Sequence, residues 1–164
     1  MGAMSTRRTA LTASVLACAA GCDEPLVPVS EDTTLLASLG DYQKWARPTA
    51  RPERTPVLAP HGGFVDIYIN DTLVADLAMA LPEGLPAWSE GAAVVLEGYS
   101  AMEGGDLLQI AVMQKRLGVW SWEQYTGDDE LPRFAGRPDV CVGCHSGGED
   151  FIRAFKLPDP PPEE

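Results

Sequence analysis

Hydrophobic positions along the chain follow a helical period first and a strand period afterwards. Leu35, Leu36, Leu39 and Tyr42 recur at helical spacing, so residues 33–45 are predicted as an amphipathic helix, stopped at Arg47-Pro48. A proline-rich loop over 48–63 carries His61. From 64 to 70 the period drops to two. Val65, Ile67 and Ile69 alternate with Phe64, Asp66 and Tyr68, which predicts a strand with one buried face. Asp71 is expected to cap a short helix that runs to Met79 and ends at Pro82-Glu83-Gly84. Three further strands, 92–98, 107–115 and 119–125, are punctuated by Gly104-Gly105 and Gly118, and such short connections favour antiparallel pairing. Gly127-Asp128-Asp129 makes a turn. A helix or helical turn is predicted after Arg137, continuing through Phe151 to Phe155, before an acidic tail over 158–164.

These elements predict an α+β fold, an antiparallel β-sheet with helices packed against one face. No internal repeat is visible. Strand alternation puts Ala92, Val94 and Leu96 on one face and Glu97 on the other. Trp120 and Trp122 share a face and read as sheet core, with Tyr125 opposite. Lys115 is expected in solvent beside Arg116.

The chemistry of the chain concentrates near its C-terminus, in Cys141-Val142-Gly143-Cys144-His145. This C-x-x-C-H run is the attachment signature of haem c. Two thiols at this spacing add across the two vinyl groups of one porphyrin, and the adjoining histidine lies beneath the iron as proximal ligand. Cys141 and Cys144 are therefore the expected attachment points of one covalent haem, with His145 as the metal ligand. Two close cysteines have other readings: a disulfide, a structural zinc site or a redox thiol pair. Zinc needs two more ligands, and the only other histidine is His61. A thioredoxin-like pair opens a helix after a strand in a βαβ unit, which this pattern does not supply.

The N-terminus carries Arg7 and Arg8 ahead of a mostly apolar stretch over 11–20. That stretch is shorter than the about 20 residues a bilayer span needs, so residues 1–21 are predicted as a signal peptide. Ala19-Ala20-Gly21-Cys22 resembles a bacterial lipobox, which makes Cys22 the expected lipidation site; cleavage without lipid is the alternative. The expected location is the bacterial periplasm, with membrane association through the lipid alone. Cys18 falls within the signal, so no cysteine remains for a structural disulfide. The segment 22–58 is then a tether with Pro25 and Pro28, the N-terminal helix and the proline-rich loop; 59–157 is a single haem domain. The full chain has 12 basic and 24 acidic residues, a formal charge of −12. Loss of Arg7 and Arg8 makes this more negative still, which argues against nucleic acid and against anionic lipid surfaces.

Several segments together carry a resemblance. They are the strand ending at Asn70, the strand 91–99, Val112-Met113-Gln114-Lys115, Trp120-Ser121-Trp122, and C-x-x-C-H followed by Glu149-Asp150-Phe151. From His61 to Phe155 the chain resembles the cytochrome P-460 and cytochrome c′-beta family. The resemblance implies a homodimeric, largely antiparallel β fold with one pentacoordinate haem c, and hydroxylamine or nitric oxide chemistry at the open iron face. Cytochrome P-460 joins a lysine to the haem ring, and the matching position here is Leu96, which has no nucleophilic nitrogen. On this point the chain is more similar to cytochrome c′-beta. The resemblance also makes Glu149 the nearest match to an acidic residue that assists proton removal; solvated charge is its other reading.

The expectation is an exported monohaem cytochrome whose open distal site binds or processes nitrogen oxides, with catalysis left open. If Leu96 faces the haem, so do Ala92 and Val94, and the iron meets an apolar wall. The alternative is a six-coordinate electron-transfer cytochrome with Met79, Met102, Met113 or His61 as distal ligand, and a redox protein as partner. His61 reads more simply as a loop residue.

Overall fold

In the computed structural model, which describes residues 34–57, 60–61, 63–79, 83–127 and 129–158, six strands form one antiparallel meander. The strands are β1 (Thr55–Pro56), β2 (Phe64–Ile69), β3 (Ala93–Tyr99), β4 (Leu107–Arg116), β5 (Val119–Thr126) and β6 (Phe134–Gly136). Each pairs with its sequence neighbour, and the register sets Ile67 beside Leu96, Leu96 beside Ala111, and Met113 beside Trp122. The β4–β5 hairpin turns through Leu117 and Gly118, both at positive φ (52° and 76°), the type I′ geometry that matches strand twist. The Glu90 carboxyl accepts the backbone N–H groups of both turn residues.

The α+β class is as expected, but helices cover both faces of the sheet. The front face buries Val65, Ile67, Ile69, Val94, Met113, Trp120 and Trp122. Against it pack Leu73 of α2 (Asp71–Leu77), Trp88, residues of α3 (Asp139–His145), and Ile152 and Phe155 beyond it. The back face buries Val95, Val112 and Tyr125 beneath Leu35 of α1 (Leu35–Ser38) and Tyr42 of a 3₁₀ turn, Tyr42–Lys44.

Polar residues on the back face are buried because each has partners. Glu97, 3% exposed, accepts the hydroxyls of Tyr42 (2.7 Å), Tyr68 (3.1 Å) and Tyr99 (2.7 Å) and the Gln43 amide (3.1 Å). Burial, reinforced by Glu97, pushes the Tyr68 hydroxyl up to about 12 and raises those of Tyr42 and Tyr99 as well. Glu123 accepts the Tyr125 hydroxyl (2.7 Å) and the Leu36 amide (3.1 Å). Asp66 receives Arg54 Nε and Nη2 (3.0 and 2.8 Å) on one oxygen and Arg47 on the other. Strand β2 is therefore covered on both sides rather than on one.

Local expectations change for identifiable reasons. The helix over 33–45 divides because Gly40, at φ 64°, turns the backbone left-handed between α1 and the 3₁₀ turn. Asn70 rather than Asp71 caps α2, its Oδ1 accepting from the Leu73 amide (3.2 Å). Helix α3 ends at His145, where Gly147 and Gly148 follow, instead of running on to Phe155. The signal segment, Cys22, the tether and residues 159–164 lie outside the described residues, as does Asp128 of the turn after β5.

Candidate functional site

Helix α3 places Cys141 and Cys144 three residues apart, hence on one face, and presents His145 at its C-terminal end. Both thiols are free rather than joined in a disulfide; Cys141 is half-buried against the front core and Cys144 is exposed. Burial, with a smaller effect from Cys144, pushes the Cys141 thiol up. That is the reverse of the depressed pKa that marks a reactive redox thiol. Among the described residues no three His, Cys, Asp or Glu side chains converge on one point, so a four-ligand zinc site is not built here.

His145 is held from behind. Its Nδ1 lies 2.8 Å from the Phe151 carbonyl, which only accepts, so Nδ1 carries the proton and Nε2 keeps its lone pair. Metal-binding imidazoles are commonly oriented through such a bond. The carbonyl sits in a tight loop closed by paired bonds between Glu149 and Ile152 (3.0 and 3.1 Å). A Cβ on Gly148 would meet the Ile152 carbonyl oxygen at 2.4 Å, so only glycine fits there. Asp150 and Phe151 both adopt positive φ (42° and 68°), a costly conformation for residues with side chains.

Lys115 restrains that loop. It is 8% exposed, and its ammonium donates to Asp150 Oδ2 (2.6 Å) and the Trp88 carbonyl (2.8 Å). Trp88 adds its backbone N–H to Asp150 Oδ2 (3.0 Å) and its indole N–H to the Glu149 carbonyl (3.0 Å). The expectation that Lys115 is solvated is corrected: alternation carries its side chain onto the front face, where Asp150 meets it.

In front of α3 lies a cavity of about 380 Å³, within the about 300–1,000 Å³ usual for cofactor sites. Val94, Leu96, Met113 and Trp122 wall it on the sheet side, while Cys144 and His145 reach it from α3. Ala92 is fully buried but does not line it. Glu149 does not line it either; its carboxyl accepts the Leu157 amide (2.6 Å). Met79 and Met102 are exposed and away from the cavity, which leaves Met113 and His61 as its candidate distal ligands. Trp122 belongs to the sheet core as expected and also stands edge-on to His145, 6.1 Å between ring centres.

His61 is not an incidental loop residue. Its ring centre lies 6.0 Å from that of His145 across the cavity, at 76° between planes. Burial, and secondarily the charge of His145, lowers its pKa. The sequence does hold a sign of this placement: a glycine inside a strand marks close backbone approach. A Cβ on Gly98 of β3 would come within 2.5 Å of the His61 carbonyl oxygen. Gln109 holds the preceding Pro60 carbonyl at 2.8 Å. Sequence reasoning also missed Arg51 and Arg153, the only Lys, Arg, Asp or Glu side chains lining the cavity among the described residues, in a chain of net charge −12.

The donor set suits haem c. Cys144 and an imidazole with a free Nε2 at the cavity, Cys141 one helical turn behind against the front core, apolar walls and two guanidinium groups match a flat apolar ring with two carboxylates. Two residues lining the cavity carry buried atoms without hydrogen-bond partners, the indole N–H of Trp122 and Nδ1 of His61; Arg47 Nε and the Trp120 indole N–H, which do not line it, are unpartnered as well. Neither family models nor curated proteins match the chain.

Proposed function

We propose that this chain is an exported monohaem c-type cytochrome, carrying its haem on Cys141 and Cys144 with His145 as proximal ligand. The observation that carries the reading is the Phe151 carbonyl fixing the Nδ1 proton of His145 beside the two thiols. Each S–H adds across one vinyl double bond, so two thioether bonds form and no atom leaves. His145 would hold the iron, and the group would supply a redox-active metal at the cavity. Arg51 and Arg153 neutralise its carboxylates, and Val94, Leu96 and Met113 exclude water.

The site is read as one that takes nitrogen oxides, nitric oxide before hydroxylamine. Leu96 lies on the cavity wall and offers no nitrogen for a ring cross-link, and among the described residues no carboxylate lines the cavity to accept a proton. A second reading, an electron carrier with both axial positions held by side chains, is favoured by Met113 and His61 on that wall. Periplasmic location, a lipid on Cys22 and a homodimeric state belong to the same proposal. Its test is Cys141→Ala/Cys144→Ala, expressed with haem maturation. Acidified organic solvent should extract haem from the variant and not from the native protein. Covalent haem retained by the double variant overturns the assignment.

A further inference from the structure

We infer that His61 is an exchangeable axial ligand, occupying the iron position opposite His145 at rest and displaced when a diatomic ligand binds. The inference rests on the reading that this cavity holds haem c. Three independent features of the fold support it.

The first is spacing. Two metal–nitrogen bonds of about 2.0 Å, each extended about 1.1 Å from nitrogen to ring centre, put two collinear imidazoles about 6.2 Å apart. The observed separation of the His61 and His145 ring centres is 6.0 Å. The planes stand at 76°, so the rings are not stacked on one another.

The second is the missing partner. His61 Nδ1 is buried and accepts or donates no hydrogen bond, an arrangement that is disfavoured unless something at the site satisfies the ring. His145 differs, its Nδ1 being committed to a carbonyl. An imidazole with no structural bond of its own is free to take a metal and free to leave it.

The third is the way His61 is carried. Among the described residues its loop is held by the Gln109 amide on the Pro60 carbonyl (2.8 Å) and by the side-chain-free surface of Gly98 under its own carbonyl. These attachments bring the ring to the cavity without bonding the ring itself, so it can withdraw without breaking the sheet. Met113, by contrast, is fixed in strand β4 and 7% exposed. Its withdrawal would open the core.

The test uses the protein with haem attached, read by absorption and electron paramagnetic resonance. The native protein should be six-coordinate and low-spin in both oxidation states. His61→Ala should be high-spin, and added imidazole should return it to low-spin. Gly98→Ala should raise the high-spin fraction although His61 is retained, and Met113→Leu should remain low-spin. Carbon monoxide binding should saturate in rate with the native protein as His61 departure becomes limiting. In His61→Ala it should stay linear, with affinity raised about tenfold or more if the closed form exceeds about 90% of molecules. A covalently held haem that is high-spin in the native protein, or a low-spin signal that survives His61→Ala or is lost in Met113→Leu, overturns this inference alone. Haem that is not covalently held overturns the reading beneath it as well.

Discussion

Replacing Lys115 by methionine keeps the apolar stem and removes the ammonium that bridges Asp150 and the Trp88 carbonyl. The pair is sheltered, with side chains 10% and 19% exposed, so the loss is not a surface effect. Breaking a buried ion pair by deleting one partner costs about 3–5 kcal/mol. The partial exposure of Asp150 and its remaining bond from the Trp88 amide (3.0 Å) bring the expected loss to about 2–3 kcal/mol. For a domain of this size that lowers Tm by about 10 °C. Adding Asp150→Asn removes the orphaned charge and should recover at least about 1 kcal/mol, so the two substitutions should be non-additive.

The same substitution has a second readout, which a merely structural ion pair would not move. Asp150 and Phe151 are both in left-handed backbone conformations, and Asp150 is the residue through which Lys115 and the Trp88 amide hold that loop, beside the Trp88 indole bond to the Glu149 carbonyl. Once released, the Phe151 carbonyl binds the Nδ1 proton of His145 less firmly. If His145 holds the proposed haem iron, the imidazole would become a poorer donor, which would destabilise the ferric state more than the ferrous and raise the reduction potential. The assay is a thermal melt together with a redox titration of the haem-loaded protein. A stability loss with an unchanged potential refutes the positioning argument. A melt within about 1 kcal/mol of native refutes the ion-pair argument itself.

Two further predictions concern the sheet. Leu117, 95% exposed at φ 52°, carries a left-handed strain that no packing offsets, so Leu117→Asn should stabilise the protein by about 0.5–1 kcal/mol; a lower urea midpoint would sink this. Burial pushes the Asp66 carboxyl up, but the hydrogen bonds from Arg54 and Arg47 outweigh it and hold the group below its ordinary 3.8. A depressed folded-state value contributes stability that is present above pH 3.8 and lost as pH falls through the lower folded value. The urea midpoints of native protein and Asp66→Asn should therefore converge on acidification below that pH; a constant gap refutes the pairing.

What the sequence disclosed was what local rules govern. The alternation in β2 to β5 and the glycine-marked hairpins are written within short windows, and both appear in the structure where expected; the C-x-x-C-H spacing is equally local. What it concealed depends on distant partners. Asp66, Glu97 and Glu123 look like solvent-facing strand residues until Arg47, Arg54, Tyr42 and the Leu36 amide are brought over them. Lys115 and Asp150 lie 35 positions apart, and no periodicity relates them. His61 sits in a proline-rich segment without repeat, and only the glycine at 98 marks where that segment rests.

The polar layer behind the sheet bears on the cavity in front of it. A one-residue slip of β3 would exchange Leu96 for Glu97 at the cavity wall and bury an ionisable group against the candidate haem site. The apolar residues alone discriminate weakly, because Val94, Val95 and Leu96 form a continuous run that tolerates either facing. Glu97 discriminates strongly. In the observed register its carboxyl receives three tyrosine hydroxyls and an amide, and hydrogen bonds to a charged acceptor are worth about 1.5–3 kcal/mol each. A slip forfeits all four. Tyr42 supplies one of those bonds from the N-terminal 3₁₀ turn, so the segment that closes the back face also holds β3 in register. The carboxyl layer behind the sheet thereby keeps the wall facing His145 apolar.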